Sequence, residues 1–126
     1  LESVINFFAR LISVFFGKEE LLYALILFVI LDYITGVCVA IHEQKLSSSI
    51  GAKGISKKIV IFLLVSVAHV ADQYLMDSSN VLRTVTIMFY LMNECISIFE
   101  NVGKLGIPLP AQLNEVLLCL KNNINK

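Results

Sequence analysis

The chain has 126 residues, of which 57% are hydrophobic and 16% charged, and its ten basic residues balance ten acidic ones. Ordinary soluble proteins carry about 45–50% apolar and about 25% charged residues, so this composition argues against a soluble domain. Zero net charge gives nucleic acid no electrostatic footprint, and three cysteines without C-x-x-C spacing (Cys38, Cys95, Cys119) define no disulfide framework.

The chain begins at Leu1 rather than methionine, which leads to the expectation that residues precede it. Segment 4–16 is apolar apart from Asn6, Arg10 and Ser13. Those three recur at i, i+4 and i+7 and share one helical face. A helix of that length reaches only roughly 20 Å, short of the roughly 30 Å of bilayer hydrocarbon. An amphipathic helix in the membrane interface is expected, rather than a span. No A-x-A cleavage site follows it; Gly17-Lys18-Glu19-Glu20 comes instead.

Apolar runs at 21–41, 59–76 and 81–99 fill nearly half of the chain. About 20 residues cross the hydrocarbon as a helix, so the expected fold is all-α, a single membrane domain over 1–126 with three transmembrane helices. Segment 42–58 holds Lys45, Lys53, Lys57 and Lys58 with Ser47-Ser48-Ser49, Gly51 and Gly54, and reads as a basic loop with room for one helical turn. Asp77-Ser78-Ser79-Asn80 forms a tight helical hairpin turn. Gly103, Gly106, Pro108 and Pro110 stop the third helix. Segment 111–122 then resumes as a short amphipathic helix, with Leu113, Leu117, Leu120 and Ile124 along one face.

Lysine placement sets an orientation. The basic loop and the tail, with Lys104, Lys121 and Lys126, share one side when three spans are present. The positive-inside rule makes that side cytoplasmic, with the N-terminus outside and the C-terminus inside. Were 4–16 also to cross, the N-terminus would lie inside.

Polar residues inside the runs carry the main argument, because each ionisable group costs a few kcal/mol in the bilayer unless it faces protein or water. Asp32, Thr35 and Gly36 share one face of the first span, and His69, Asp72 and Gln73 one face of the second. In the third, Tyr90, Asn93, Glu94, Ser97, Glu100 and Asn101 extend one stripe over three turns. Such stripes mark helix–helix glue or a wetted lumen, formed within the chain or between copies. Gly36 and Ala40 are small residues four apart, which permits close approach of another helix. Depth along the helices suggests partners: Asp32 with His69, Asp72 with Arg83, and Lys57 with Glu100. Glu94 finds no cation at its own level and is expected to be neutral, wetted, or paired with another subunit.

Catalytic and cofactor chemistry finds no support. Gly51-Ala52-Lys53-Gly54 lacks the phosphate-loop pattern and no strand precedes it. Lys45, Lys53 and Lys58 are better read as a topology signal or a headgroup contact on the membrane surface. Cys38 and His42 at i, i+4 are only two metal ligands. A mid-depth His69 reads as a packing residue before a proton relay.

The chain resembles the phage-lysis and toxin-secretion holins of Gram-positive bacteria and their phages, over roughly 21–121. The carriers are Leu31-Asp32-Tyr33-Ile34-Thr35-Gly36, Leu46-Ser47-Ser48-Ser49 with Gly54 and Lys57-Lys58, Ala71-Asp72, Asn93-Glu94-Cys95-Ile96-Ser97-Ile98 with Glu100-Asn101, and Gly106-Ile107-Pro108-Leu109-Pro110. The resemblance implies a non-enzymatic protein without cofactor. It implies accumulation in the bacterial cytoplasmic membrane as a homo-oligomer, and lesions that release a murein hydrolase or assist export of a large toxin. The hydrolase or toxin is cargo without specific binding, and the partners are the bilayer and further copies of the chain. Two other readings use the same residues: a small ion channel or proton-coupled transporter built on Asp32, His69 and Glu94, and a non-conducting accessory subunit.

Overall fold

The computed structural model describes residues 1–16, 20–77 and 79–124, with side chains at 12–16 and 124 excluded. Segment 17–19 with Lys18, the turn residue Ser78, Lys126, and the side chains of Ser13 and Ile124 therefore lie outside the described residues. Five helices and no strand are present among the described residues: α1 (Glu2–Phe16), α2 (Glu20–His42), α3 (Ser48–Tyr74), α4 (Val81–Lys104) and α5 (Ala111–Ile124). Helices α2, α3 and α4 are each long and apolar enough to cross a membrane.

Short connections make consecutive spans antiparallel, so α2 and α4 run in the same direction and α3 in the opposite one. Helix α4 packs extensively on α2 and on α3, while α2 and α3 meet more sparsely. Each span buries one stripe at 3–4-residue spacing. On α2 it is Leu22, Leu25, Val29, Asp32 and Val39; on α3, Val65 and Asp72; on α4, Arg83, Ile87 and Glu94. The remaining faces carry exposed Leu, Ile and Val, such as Leu27, Ile30, Ile34, Leu63 and Val67. That inversion of a soluble fold suits lipid contact.

The second span differs from expectation at both ends. It starts at Ser48, eleven residues before 59, because the Oγ of Ser47 accepts the backbone N–H of Ile50 at 3.2 Å and caps the helix there. Segment 48–58 is thus helix, not loop. At the other end the helix stops at Tyr74, and Leu75 is its C-cap. Gly51 and Gly54, which lowered the helical signal, lie against the ring of Tyr33. A Cβ at Gly51 would stand 3.3 Å from the Tyr33 hydroxyl, and one at Gly54 3.5 Å from the ring. Their modest helix-propensity cost is tied to that close approach of α2.

Two helices end in the same way. After α2, Lys45 N–H reaches Ala40 O at 2.8 Å and Gln44 N–H reaches Ile41 O at 3.1 Å, with Gln44 at φ 56°. After α4, Ile107 N–H reaches Val102 O and Gly106 N–H reaches Gly103 O, with Gly106 at φ 80°. Both are Schellman motifs, whose left-handed residue favours glycine. Gly106 stops α4, whereas Gly103 lies inside it. Helix α5 contacts α4, and Lys121 on α5 pairs with Glu100 at 3.2 Å. Helix α1 is amphipathic, contacts α3, and exposes Val4, Ile5, Phe7 and Phe8.

Asp72 fastens the hairpin between α3 and α4. Its carboxylate accepts the backbone N–H of Leu82 at 3.1 Å and of Arg83 at 2.8 Å, the orphan donors of α4's first turn. Asn80, at the conventional cap position, makes no side-chain cap bond. The charged acceptor at the positive helix end adds a favourable dipole contribution. Asp72→Leu should lower stability by about 1–3 kcal/mol, and Asp72→Asn by less. Denaturation in mixed detergent micelles, followed by far-UV circular dichroism, measures both; equal stability of Asp72→Leu and the parent would remove this cap.

Candidate functional site

Three spans converge at one level on a cluster of ionised side chains. Lys58 of α3 inserts between Asp32 of α2 and Glu94 of α4. Its Nζ donates to both Glu94 oxygens, at 2.9 and 2.7 Å, and to Asp32 Oδ2. Asp32 and Glu94 are 7% and 4% exposed, so the cluster sits inside the bundle. Asn101, two turns along α4 from Glu94, donates its Nδ2 to Asp32 Oδ1 at 3.1 Å and to Thr35 Oγ1 at 3.0 Å. The Thr35 hydroxyl in turn lies 2.9 Å from Leu31 O.

Electrostatics explain the arrangement. Two carboxyl groups share one ammonium where lipid cannot solvate them. Three N–H bonds from Lys58 and one from Asn101 hold them in a medium that strengthens such bonds. The helix pattern brings the groups together: Gly51, Gly54, Lys58, Val65, His69 and Asp72 follow one another at 3, 4 or 7 residues and share one face of α3.

Several expected pairings are corrected by this geometry. Asp32 does not meet His69; it meets Lys58 and Asn101. His69 lies eleven residues beyond Lys58, roughly 16 Å along α3, and its buried Nδ1 has no hydrogen-bond partner among the described residues. A relay of Asp32, His69 and Glu94 is therefore not assembled within one chain. Glu94 has its cation after all, in the same chain. Lys58 leaves the surface loop for the bundle interior. Asp72 meets the backbone N–H of Arg83 instead of ion-pairing with its guanidinium, and Arg83 itself is buried. Glu100 pairs with Lys121, and Lys57 lies on the exposed side of α3.

The remaining candidates fall into place around the cluster. Gly36 faces α4 within the chain, where a Cβ would stand 3.8 Å from Asn101 Nδ2. Ser97 borders a cleft beside Asp32 and Lys58, and Tyr90 packs against the apolar core. Asn93 is half-buried, and Lys45 and Lys53 are exposed. Among the described residues no three His, Cys, Asp or Glu side chains are placed to hold a metal ion, so Cys38 and His42 gain no further ligand.

What sequence reasoning missed is Lys58, and the signal was available. Asp32 lies ten residues from the end of α2 at His42, and Lys58 lies ten from the start of α3 at Ser48. Counting from 59 instead pointed to His69. The error was the helix start, not the depth argument.

Fold and cluster together define a small multi-span helical membrane protein with an ion cluster at its centre. A bacteriophage holin family profile matches residues 10–122, and the chain belongs to that family. A probable holin of Bacillus phage phi105 is 34% identical over 108 residues, covering 85% of this chain and 79% of the phage protein. An uncharacterized 14.9 kDa protein of Clostridium perfringens is 37% identical over 130 residues, 97% of this chain and 98% of that one. An uncharacterized protein of Halalkalibacterium halodurans is 34% identical over 123 residues, 94% and 91% of the two chains. No solved structure gives a significant match.

Removing one partner of a buried charge cluster leaves the others uncompensated. Lys58→Met should destabilise the bundle by about 3–5 kcal/mol. Adding Asp32→Asn and Glu94→Gln to Lys58→Met should recover most of that loss, since the amides keep hydrogen bonds without charge. Detergent unfolding curves of the parent, Lys58→Met, the Asp32→Asn/Glu94→Gln pair and the triple variant measure the coupling. Strictly additive losses would show that the three side chains do not act as a unit.

Proposed function

We propose that this chain acts as a holin: a non-enzymatic protein that self-associates in the bacterial cytoplasmic membrane and opens it. The opened membrane releases a murein hydrolase, or assists export of a large toxin. The observation that carries this reading is the polar stripe of α4 (Asn93, Glu94, Ser97, Asn101), set against Lys58 and Asp32 inside three membrane-spanning helices. Family membership supports it. So does the relative from Bacillus phage phi105, a probable holin. Lipid cannot solvate that stripe, so it faces protein in the single chain and suits a wetted lumen once copies assemble.

The orientation that fits is N-terminus outside and C-terminus cytoplasmic. Lys45, Lys53 and Lys57 flank one end of the bundle, and Lys104 and Lys121 the same end, while Lys58 no longer counts as a loop charge. A cysteine introduced by Ser48→Cys should escape a membrane-impermeant thiol reagent added to intact cells, and react once the membrane is opened. Labelling in intact cells before any permeabilisation would reverse the orientation.

Function is tested by inducible expression in a bacterium, with and without a cytoplasmic murein hydrolase, while following membrane potential and optical density. Expression alone should collapse the potential, and optical density should fall sharply only when the hydrolase is present. A maintained potential at full membrane accumulation would refute the lesion. Saturable, ion-selective flux without hydrolase release would favour the channel reading instead.

A further inference from the structure

The ion cluster divides the bundle into two unlike halves. Toward the turn between α3 and α4, Leu22, Leu25, Val29, Val65 and Ile87 close the space between the helices as an apolar core. Toward the connection between α2 and α3, a cleft of about 260 Å³ opens beside the cluster. Asp32, Gly36 and Ala40 line it from α2, and Lys58, Gly54 and Ile50 from α3. Eight residues on each antiparallel helix correspond to roughly 12 Å of length. Leu46, in the connection itself, also borders the cleft, so it extends from the loop end down to Lys58. Tyr33, Lys57, Ser97 and Asn101 add polar groups to its walls.

We propose that this cleft is a one-sided aqueous vestibule, filled with water from the loop end to the Lys58 cluster and closed beyond it by the apolar core. Two observations carry the proposal. The cleft is far larger than one water needs, and Asp32, Lys58, Ser97 and Asn101 offer water polar partners at its inner end. The three N–H donors of Lys58 are all taken, one by Asp32 and two by Glu94. Asp32 and Lys58 line the inner end of the cleft, so water in it reaches the cluster directly. The vestibule also accounts for an ionised cluster in the middle of a membrane span: it is hydrated from one side and dry on the other. A single closed chain thus already holds half of an aqueous path, ending at Asp32 and Lys58. This is a property of the single chain and does not rest on lesion formation.

Cysteine accessibility tests it in sealed vesicles of both orientations, at a protein density low enough to retain an entrapped dye. In a background carrying Cys38→Ser, Cys95→Ala and Cys119→Ser, single cysteines are introduced by Ala40→Cys and Ser97→Cys. Ser48→Cys marks the loop end, Ile34→Cys the lipid face of α2, and Val65→Cys the apolar core. A charged, impermeant methanethiosulfonate reagent should modify Ala40→Cys and Ser97→Cys only from the face that modifies Ser48→Cys. Ile34→Cys and Val65→Cys should stay unmodified from either face. Failure to modify both vestibule cysteines, or modification from the opposite face, would overturn the proposal. Modification of Ala40→Cys without Ser97→Cys would also overturn it, since the water would then stop short of the cluster. Modification of Val65→Cys would remove the apolar closure and overturn the one-sided reading.

Discussion

A single ammonium shared by two carboxylates from two other helices sets the geometry of this bundle. In water such a group gains little, because exposed ion pairs contribute at most about 1 kcal/mol. In a bilayer each of the three charges is costly alone, and protein must supply the solvation that lipid withholds. Lys58 therefore has to reach the level of Asp32 and Glu94, which fixes the depth of α3 against α2 and α4 to within one turn. It also fixes rotation, since only one face of each helix carries its member of the cluster. Apolar packing between lipid-soluble helices specifies neither quantity strongly. The cluster contributes specificity first and stability second.

From that point the bundle follows two different rules. On the core side, van der Waals packing of Leu22, Leu25, Val29, Val65 and Ile87 suffices, and Asp72 secures the far end by capping α4. On the loop side, Tyr33 reaches across to α3, and Gly51 and Gly54 make room for its ring. The same glycines leave a cleft beside Lys58 that larger residues would fill. Sparse contact between α2 and α3 and close packing of both on α4 are then two views of one arrangement: α4 is the central element, and Lys58 is the principal polar bridge from α3.

Most of the architecture was legible from hydropathy and punctuation. Helix number, the ends of α2, the start of α4 and the return of helix at α5 follow from run length, Gly106, Pro108 and Pro110, whereas α4 runs on past 99 to Lys104. The start of α3 was not, and the reason is physical. Segment 48–58 holds two glycines, three serines and three lysines, residues that lower an apolar signal whether or not the backbone is helical. Here the glycines accommodate Tyr33, Ser47 caps the helix, and one lysine turns inward. Local composition recorded the cost of those choices, while their compensation lies on α2 and α4, beyond any local window. One misplaced boundary then propagated: depth counted from 59 sent Asp32 to His69 and left Glu94 without a cation. Extending the stripe of Asp72, His69 and Val65 backward at helical spacing reaches Lys58 and repairs the match.

Satisfaction of the cluster within one chain changes what drives assembly. An unpartnered Glu94 would give copies of the chain a reason to associate. Paired with Lys58, it supplies none, and Gly36 likewise faces its own Asn101. The apolar outer faces of α2, α3 and α4 and the exposed side of α1 remain uncovered in the single chain, and lipid meets them on nearly equal terms with protein. A lumen lined by the α4 stripe requires Lys58 to leave Asp32 and Glu94, at a cost of about 3–5 kcal/mol per chain when a buried pair is broken. Any change that wets the α4 stripe therefore has to offset the loss of the Lys58 contacts before it can persist.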